Sequence, residues 1–121
     1  MTPSALIVDD NRALAEDLGE ILESEGYTVR VYFDPLEAIS GCRDHSFDVA
    51  LLDVRMPKMD GVELFRALTL VQPAASFILM SAYADDRRIR QALAEGVRTV
   101  LSKPVSVATL LQALSSALSG R

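Results

Sequence analysis

Three carboxylates, a hydroxyl and an ammonium in this chain each stand just past a short apolar run. Asp9 and Asp10 follow Ala5–Val8, Asp53 follows Val49–Leu52, Ser81 follows Phe77–Met80, and Lys103 comes shortly after Arg98–Leu101. Each alone has an ordinary reading. Asp10 or Asn11 can cap a helix, Asp53 can lead into the turn Met56-Pro57-Lys58-Met59-Asp60-Gly61, Ser81 can be a loop hydroxyl, and Lys103 before Pro104 a surface charge. Four such placements together argue against coincidence. Three clustered acids repel one another, so at least one should hold its proton more tightly than usual. A divalent cation relieves that repulsion. With 1 Cys and 1 His in the chain, the ligands are all oxygen, which favours a hard ion such as Mg²⁺ over zinc. A nearby lysine then pairs with a phosphoryl oxygen and a serine hydroxyl donates to another. The set suits in-line phosphoryl transfer to a carboxylate.

These residues meet only if the elements carrying them are parallel strands. The runs Ala5–Val8, Val49–Leu52 and Phe77–Met80 are almost continuously apolar, as strands buried on both faces should be. Thr28–Tyr32 alternates, which suits an edge, and Arg98–Leu101 is weak enough to sit near one. Helical patterns lie between them. Leu14, Leu18, Ile21 and Leu22 keep one face, with Gly26 as the stop. Asp34-Pro35 reads as an N-cap with proline in the first turn. Asp60 caps a helix with Val62, Leu64, Phe65 and Leu68, and Glu63 reaches back as in a capping box. Asp85 is expected to open a helix holding Ile89, Ala92 and Leu93 and ending near Gly96. The last helix starts at Ser106 with Val107, Leu110, Leu111, Leu114 and Leu118 on one face. Strand and helix alternate five times, which predicts an α/β fold with a parallel sheet covered on both sides. Strand ends in such a sheet share one edge, where ligands bind.

Bulk properties narrow the classes. The chain has 121 residues, half of them hydrophobic, enough for one core; no linker or repeat divides it, so residues 1–121 are expected to form one domain. A net charge of −5 argues against nucleic acid or anionic membrane as a bulk partner. Arg87, Arg88 and Arg90 form a basic cluster beside Asp85 and Asp86, read as a solvated helix face. Cys42 cannot form an intramolecular disulfide and is read as a small residue on a half-buried helix. His45 is read as a surface residue. There is no signal-like start and no apolar run of the ~20 residues a membrane span needs, so a cytoplasmic location is expected.

The constellation resembles the receiver domain of two-component response regulators. The resemblance rests on Leu6-Ile7-Val8-Asp9-Asp10-Asn11, Leu51-Leu52-Asp53-Val54-Arg55-Met56-Pro57-Lys58-Met59-Asp60-Gly61, Met80-Ser81-Ala82-Tyr83 and Lys103-Pro104, and spans essentially the whole chain. It implies a flavodoxin-like doubly wound (βα)5 sandwich with strand order 2-1-3-4-5 and a cis Lys103–Pro104 bond. Asp53 would accept a phosphoryl group from a histidine kinase, a phosphotransfer protein or a small phosphodonor. Asp10, Asp53 and the backbone carbonyl of Arg55 would bind Mg²⁺ directly, with Asp9 acting through a water. Ser81 would move toward the phosphoryl group and Lys103 would pair with it. Arg55 and Tyr83 would flank the site and modulate hydrolysis. Three residues before the lysine most receivers carry Tyr or Phe; here Val100 stands there, and Val105 replaces a common Phe.

The resemblance implies a switch that catalyses only its own phosphorylation and autodephosphorylation. It would signal through its last strand and helices to a target protein, an effector domain or a second copy. It fits both a stand-alone receiver and part of a longer regulator. Val100 favours a degenerate receiver serving as a scaffold, while the full acid set with Ser81 and Lys103 opposes it. An aspartyl phosphatase of the haloacid dehalogenase type would carry an acid where Arg55 stands. The glycine-rich loops of nucleotide-binding domains are missing from the sequence.

Overall fold

A computed structural model of the protein describes residues 2–83 and 86–119. Five strands alternate with five helices: β1 (Ser4–Val8), α1 (Arg12–Ser24), β2 (Thr28–Tyr32), α2 (Pro35–Gly41), β3 (Val49–Asp53), α3 (Gly61–Val71), β4 (Ser76–Ser81), α4 (Arg87–Ala94), β5 (Thr99–Ser102) and α5 (Val107–Ser119). All strand pairings are parallel, in the order β2-β1-β3-β4-β5. The two strands with the weakest apolar patterns therefore lie at the edges. β5 starts one residue later than its apolar run; Arg98, just before it, donates its backbone N–H to the Phe77 carbonyl of β4 (2.8 Å), and its guanidinium reaches the Ser116 carbonyl on α5 (2.8 Å).

Alternate strand residues face opposite layers, so the sheet separates two cores. Leu6, Val8, Ala50, Leu52, Phe77 and Leu79 meet Ala38, Val62, Phe65, Leu68, Ile89 and Ala92 from α2, α3 and α4. Ala5, Ile7, Val49, Leu51, Ile78 and Met80 meet Leu18, Leu22, Leu110 and Leu114 from α1 and α5. Phe77 sits edge-on to both Phe65 (5.2 Å) and Phe47 (5.8 Å), a geometry aromatic quadrupoles favour.

The caps show how side chains stop and start these helices. Asn11 accepts from the Leu14 N–H and Asp34 from the Leu36 N–H. Asp60 accepts from the Glu63 N–H while Glu63 accepts from the Asp60 N–H, completing a capping box. Asp85 lies outside the described residues; the residue that caps α4 is Asp86, accepting from the Arg88 N–H at 2.7 Å. Two expected core residues face outward. Leu93 and Val107 are 41% and 48% exposed, because α4 buries Ile89 and Ala92 and α5 buries Leu110, Leu114 and Ala117 instead. Gly26 and Gly96 follow α1 and α4 with positive φ, where a Cβ would be strained.

Asp60 also pairs with Arg88 of α4, and Arg66 of α3 makes two bonds to Glu95 just beyond α4 (2.9 and 2.8 Å). Ion pairs thus tie α4 to α3 at both ends. Burial pushes the Asp60 carboxyl up, but the Arg88 guanidinium and the Glu63 N–H outweigh it and hold the carboxyl below its ordinary range. A lowered acid stabilises the fold above the ordinary carboxylate pKa, and that contribution fades as pH falls through the folded value. Asp60→Ala should therefore cost about 1–2 kcal/mol at neutral pH. Urea melts of both proteins should converge once the pH drops below the carboxylate range; a constant difference would show that the lost carboxylate is not the cause.

Candidate functional site

The pocket at the carboxyl ends of the strands forms because three neighbouring strands end in polar residues. β1 delivers Asp9, β3 delivers Asp53 and β4 delivers Ser81; these are 0%, 4% and 3% exposed, the buried polar residues among those described. Lys103 arrives from beyond edge strand β5. Its backbone N–H donates to the Ser81 carbonyl (2.9 Å), fixing where its side chain begins, and its peptide bond to Pro104 is cis. The Lys103 ammonium then lies 2.9 Å from Asp53 Oδ1 and 3.2 Å from Asp9 Oδ2.

Asp9 uses its other oxygen, Oδ1, to accept from the Asn11 N–H (3.0 Å). Because Asn11 caps α1, Asp10 has no capping role and stays exposed. Carboxylate oxygens of Asp9, Asp10 and Asp53 lie within 4.8 Å of one another. Ser81 Oγ accepts from the Tyr83 N–H (2.9 Å), which leaves its hydroxyl hydrogen available for donation.

The charges do not balance. Three acids surround one ammonium, so a formal charge of −3 + 1 = −2 remains if all are ionised. Burial pushes the Asp53 carboxyl up; Lys103 opposes that, while Asp9 and Asp10 add to it, and the net direction is upward. Burial works against the Lys103 charge, yet hydrogen bonding to Asp53 and attraction to both acids raise its pKa overall. The two shifts are compatible because Lys103 is shared by two acids, whereas Asp53 has one cation and two like charges. A cluster of hard oxygen donors with unbalanced negative charge fits a hard divalent cation.

Arg55 and Tyr83 flank the pocket from the β3–α3 and β4–α4 loops and meet each other. The Arg55 guanidinium lies over the Tyr83 ring, 4.6 Å from its centre. Both residues are exposed, with Tyr83 at 60%. Val100 is half-buried beside Leu79 on the α4 side of the sheet. His45 is exposed, and Cys42 is buried at the end of α2.

Sequence reasoning missed Gly61. A Cβ there would lie 2.4 Å from the Asp53 carbonyl oxygen and 2.9 Å from Val54 Cα. The start of α3 is therefore seated directly on the backbone of the acid it follows. The available signal was a glycine in the first turn of a helix, a poor helix former that marks close approach of backbones. The pairing of Arg55 with Tyr83 and of Asp60 with Arg88 was also invisible, since their spacing in sequence reflects loop paths rather than a period.

Comparisons with known proteins agree with this geometry. A sequence profile described as the response regulator receiver domain matches residues 5–115. A response regulator receiver protein of Anaeromyxobacter sp. (strain Fw109-5) is 42% identical over 106 residues, covering 88% of this chain and 44% of that protein. A CheY-like receiver domain protein from Methanospirillum hungatei JF-1 superimposes with a TM-score of 0.94 at 29% identity, covering 99% of this chain and 96% of that one. A Burkholderia pseudomallei response regulator, solved with a phosphorylated aspartic acid, a calcium ion and citrate, superimposes at 0.86 with 30% identity over 98% of this chain and 69% of its own. The chain thus spans less than half the length of that Anaeromyxobacter relative. No helix among the described residues is long and apolar enough to cross a membrane.

Proposed function

The chain belongs to the response regulator receiver domain family, and from that premise we propose that it is a phosphorylation-controlled signalling switch with Asp53 as phosphoacceptor. The observation that carries the reading is the Lys103 ammonium held between Asp9 and Asp53 within a three-acid pocket. The phosphorylated aspartic acid in the Burkholderia pseudomallei relative supports the same chemistry.

Asp10, Asp53 and the backbone carbonyl of Arg55 would hold Mg²⁺ directly, and Asp9 would hold it through a water. When bound, the ion neutralises the acids and the negative charge of the incoming phosphoryl group. Asp53 Oδ1 is engaged by Lys103, so Oδ2 forms the bond to phosphorus as the bond to the donor breaks. The donor leaves as histidine of a kinase or phosphotransfer protein, or as acetate from acetyl phosphate. Lys103 exchanges part of its bond to Asp53 for one to a phosphoryl oxygen, and Ser81 donates its hydroxyl hydrogen to another. Hydrolysis of the acyl phosphate by water resets the switch. Arg55 and Tyr83 set how freely donor and water enter. Catalysis is confined to this self-modification.

Val100 carries no ring that could swing inward, so the signal travels through backbone and helix shifts. The ion pairs holding α4 to α3 are the contacts such a shift would have to rearrange. The output is a state-dependent contact of α4, β5 and α5 with a target protein, an effector domain or a second copy. We place this single receiver domain, residues 1–121, in the cytoplasm, with neither nucleic acid nor membrane as a direct partner.

Incubation with acetyl phosphate and Mg²⁺, followed by intact mass measurement, tests the reading. The protein should gain the mass of one phosphoryl group, and chelating the metal should slow the gain by at least ~10²-fold. An equal rate with chelator present would remove the ion from the mechanism.

A further inference from the structure

A path of hydrogen bonds leaves the acid pocket at Ser81 and returns to it beside Asp53. Ser81 Oγ accepts from the Tyr83 N–H (2.9 Å), and the Tyr83 carbonyl accepts from the Asp86 N–H (3.2 Å). Asp86 caps α4, its Oδ1 accepting from the Arg88 N–H at 2.7 Å. The Arg88 guanidinium then pairs with Asp60, which caps α3. From there the Gly61 N–H donates to the carbonyl of Val54 (2.9 Å), the residue after Asp53.

The element this path can move is α4. It has eight residues and buries Ile89 and Ala92, whereas α3 buries Val62, Leu64, Phe65 and Leu68 besides Gly61. A helix so lightly buried takes its position largely from the polar ties at its ends, and such elements shift at low cost. The two ties differ. The Arg88–Asp60 pair stands at the end of α4 that the path reaches, with Asp60 half-buried. The Arg66–Glu95 pair stands at the far end, ~12 Å along the helix. Both of its side chains are exposed, so they can follow a small rotation without parting.

Phosphorylation pulls on the first link. To donate its hydroxyl hydrogen to a phosphoryl oxygen, Ser81 turns toward Asp53 while its oxygen can go on accepting from the Tyr83 N–H. Releasing that N–H from a part-buried bond is costly. The Tyr83 backbone therefore follows, and its carbonyl carries the cap of α4 with it. A displacement of ~1 Å at that end takes the Arg88–Asp60 pair beyond hydrogen-bond length.

We infer that Arg88 is the latch of the switch. Its pair with Asp60 holds α4 in the unphosphorylated state and parts on phosphorylation, so that α4 turns about its Arg66–Glu95 end. The inference rests on the reading of Asp53 as phosphoacceptor. Arg88 touches no reacting atom and acts through the position of α4, a route outward that needs no aromatic ring at Val100.

Coupling of this kind is reciprocal, so freeing α4 should favour the phosphoryl-bound state. Beryllium fluoride with Mg²⁺ serves as an anionic phosphoryl probe, titrated against the full chain and followed by amide NMR shifts. Arg88→Gln should tighten probe binding by ~3-fold, the scale of one partly exposed ion pair. The sign is diagnostic, because losing a positive charge near the pocket would by itself weaken the binding of an anion. Arg88→Lys should return toward the unmodified affinity, and Arg66→Gln should leave it unchanged. In an Asp60→Asn background, which keeps a capping oxygen, Arg88→Gln should no longer tighten binding. Equal or weaker binding by Arg88→Gln overturns the latch, as does tightening that persists without Asp60 or appears equally in Arg66→Gln. An unmodified chain that binds no probe, or an Asp53→Asn chain that binds it equally, would instead remove the phosphoacceptor reading and the latch with it.

Discussion

Asp53→Asn should abolish phosphorylation by acetyl phosphate and also make the metal-free fold more stable. Loss of modification follows because an amide oxygen is not an effective nucleophile toward phosphorus, while the rest of the pocket stays in place. The gain in stability follows from electrostatics. Asp53 is buried, and its pKa is pushed up by that burial and by Asp9 and Asp10 against the pull of Lys103. An acid whose folded pKa exceeds its unfolded one binds its proton more tightly in the folded state. Stability therefore falls as pH rises from the ordinary carboxylate range through the folded value, and it stays reduced at neutral pH. An asparagine ionises at neither pH, and its carbonyl can still accept from Lys103. We expect a gain on the order of 1 kcal/mol in urea melts at neutral pH without metal. The gain should vanish below the carboxylate range, and adding Mg²⁺ should stabilise the unmodified protein more than the variant. A less stable variant at neutral pH would mean that the Lys103 bond outweighs desolvation and repulsion. A variant that still gains a phosphoryl group would move the acceptor elsewhere.

This tension within the pocket also explains which parts of the molecule could be read in advance. Helix caps follow from local rules acting over a few residues, whereas the strand order was implied by the receiver resemblance alone. Asp34-Pro35 and the Asp60/Glu63 box satisfy their own backbone N–H groups, so neighbours in sequence suffice to identify them. The buried strands are legible because both faces must be apolar. The acids at their ends were legible because they break that rule. Placement failed where two adjacent residues compete for one role. Asp85 and Asp86 offer the same chemistry to a reader of the sequence, and the N-cap of α4 is Asp86. It failed again at Leu93, which lies one residue beyond Ala92 and so turns off the stripe that Ile89 and Ala92 bury. Contacts between loops from different strands, such as Arg55 with Tyr83 and Asp60 with Arg88, depend on tertiary geometry alone.

Gly61→Ala should be the most damaging single-methyl change near the site. The added Cβ would meet the Asp53 carbonyl oxygen at 2.4 Å, its carbonyl carbon at 2.9 Å and Val54 Cα at 2.9 Å. All three are backbone atoms of β3 and the turn after it, so no side chain can swing aside. The first turn of α3 would have to lift from the end of β3. That movement stretches the bond from the Gly61 N–H to the Val54 carbonyl (2.9 Å) and carries Asp60 away from Arg88. Overpacking of this kind costs ~2–4 kcal/mol, read as a lower urea midpoint with an unchanged slope. The damage should extend to chemistry, because displacing the Asp53 backbone by a fraction of an ångström misaligns its carboxylate with Lys103. Phosphorylation by acetyl phosphate should slow by ~10–10²-fold. Gly19→Ala supplies the contrast, since there a Cβ meets side-chain methyls alone, Val31 Cγ2 at 3.2 Å and Val29 Cγ1 at 3.7 Å, and alanine favours the helix by ~1 kcal/mol. If both variants melted alike, the seating of α3 on Asp53 would be dispensable. If Gly61→Ala lost stability but phosphorylated at the normal rate, the acid's position would be set by β3 and Lys103 without help from α3.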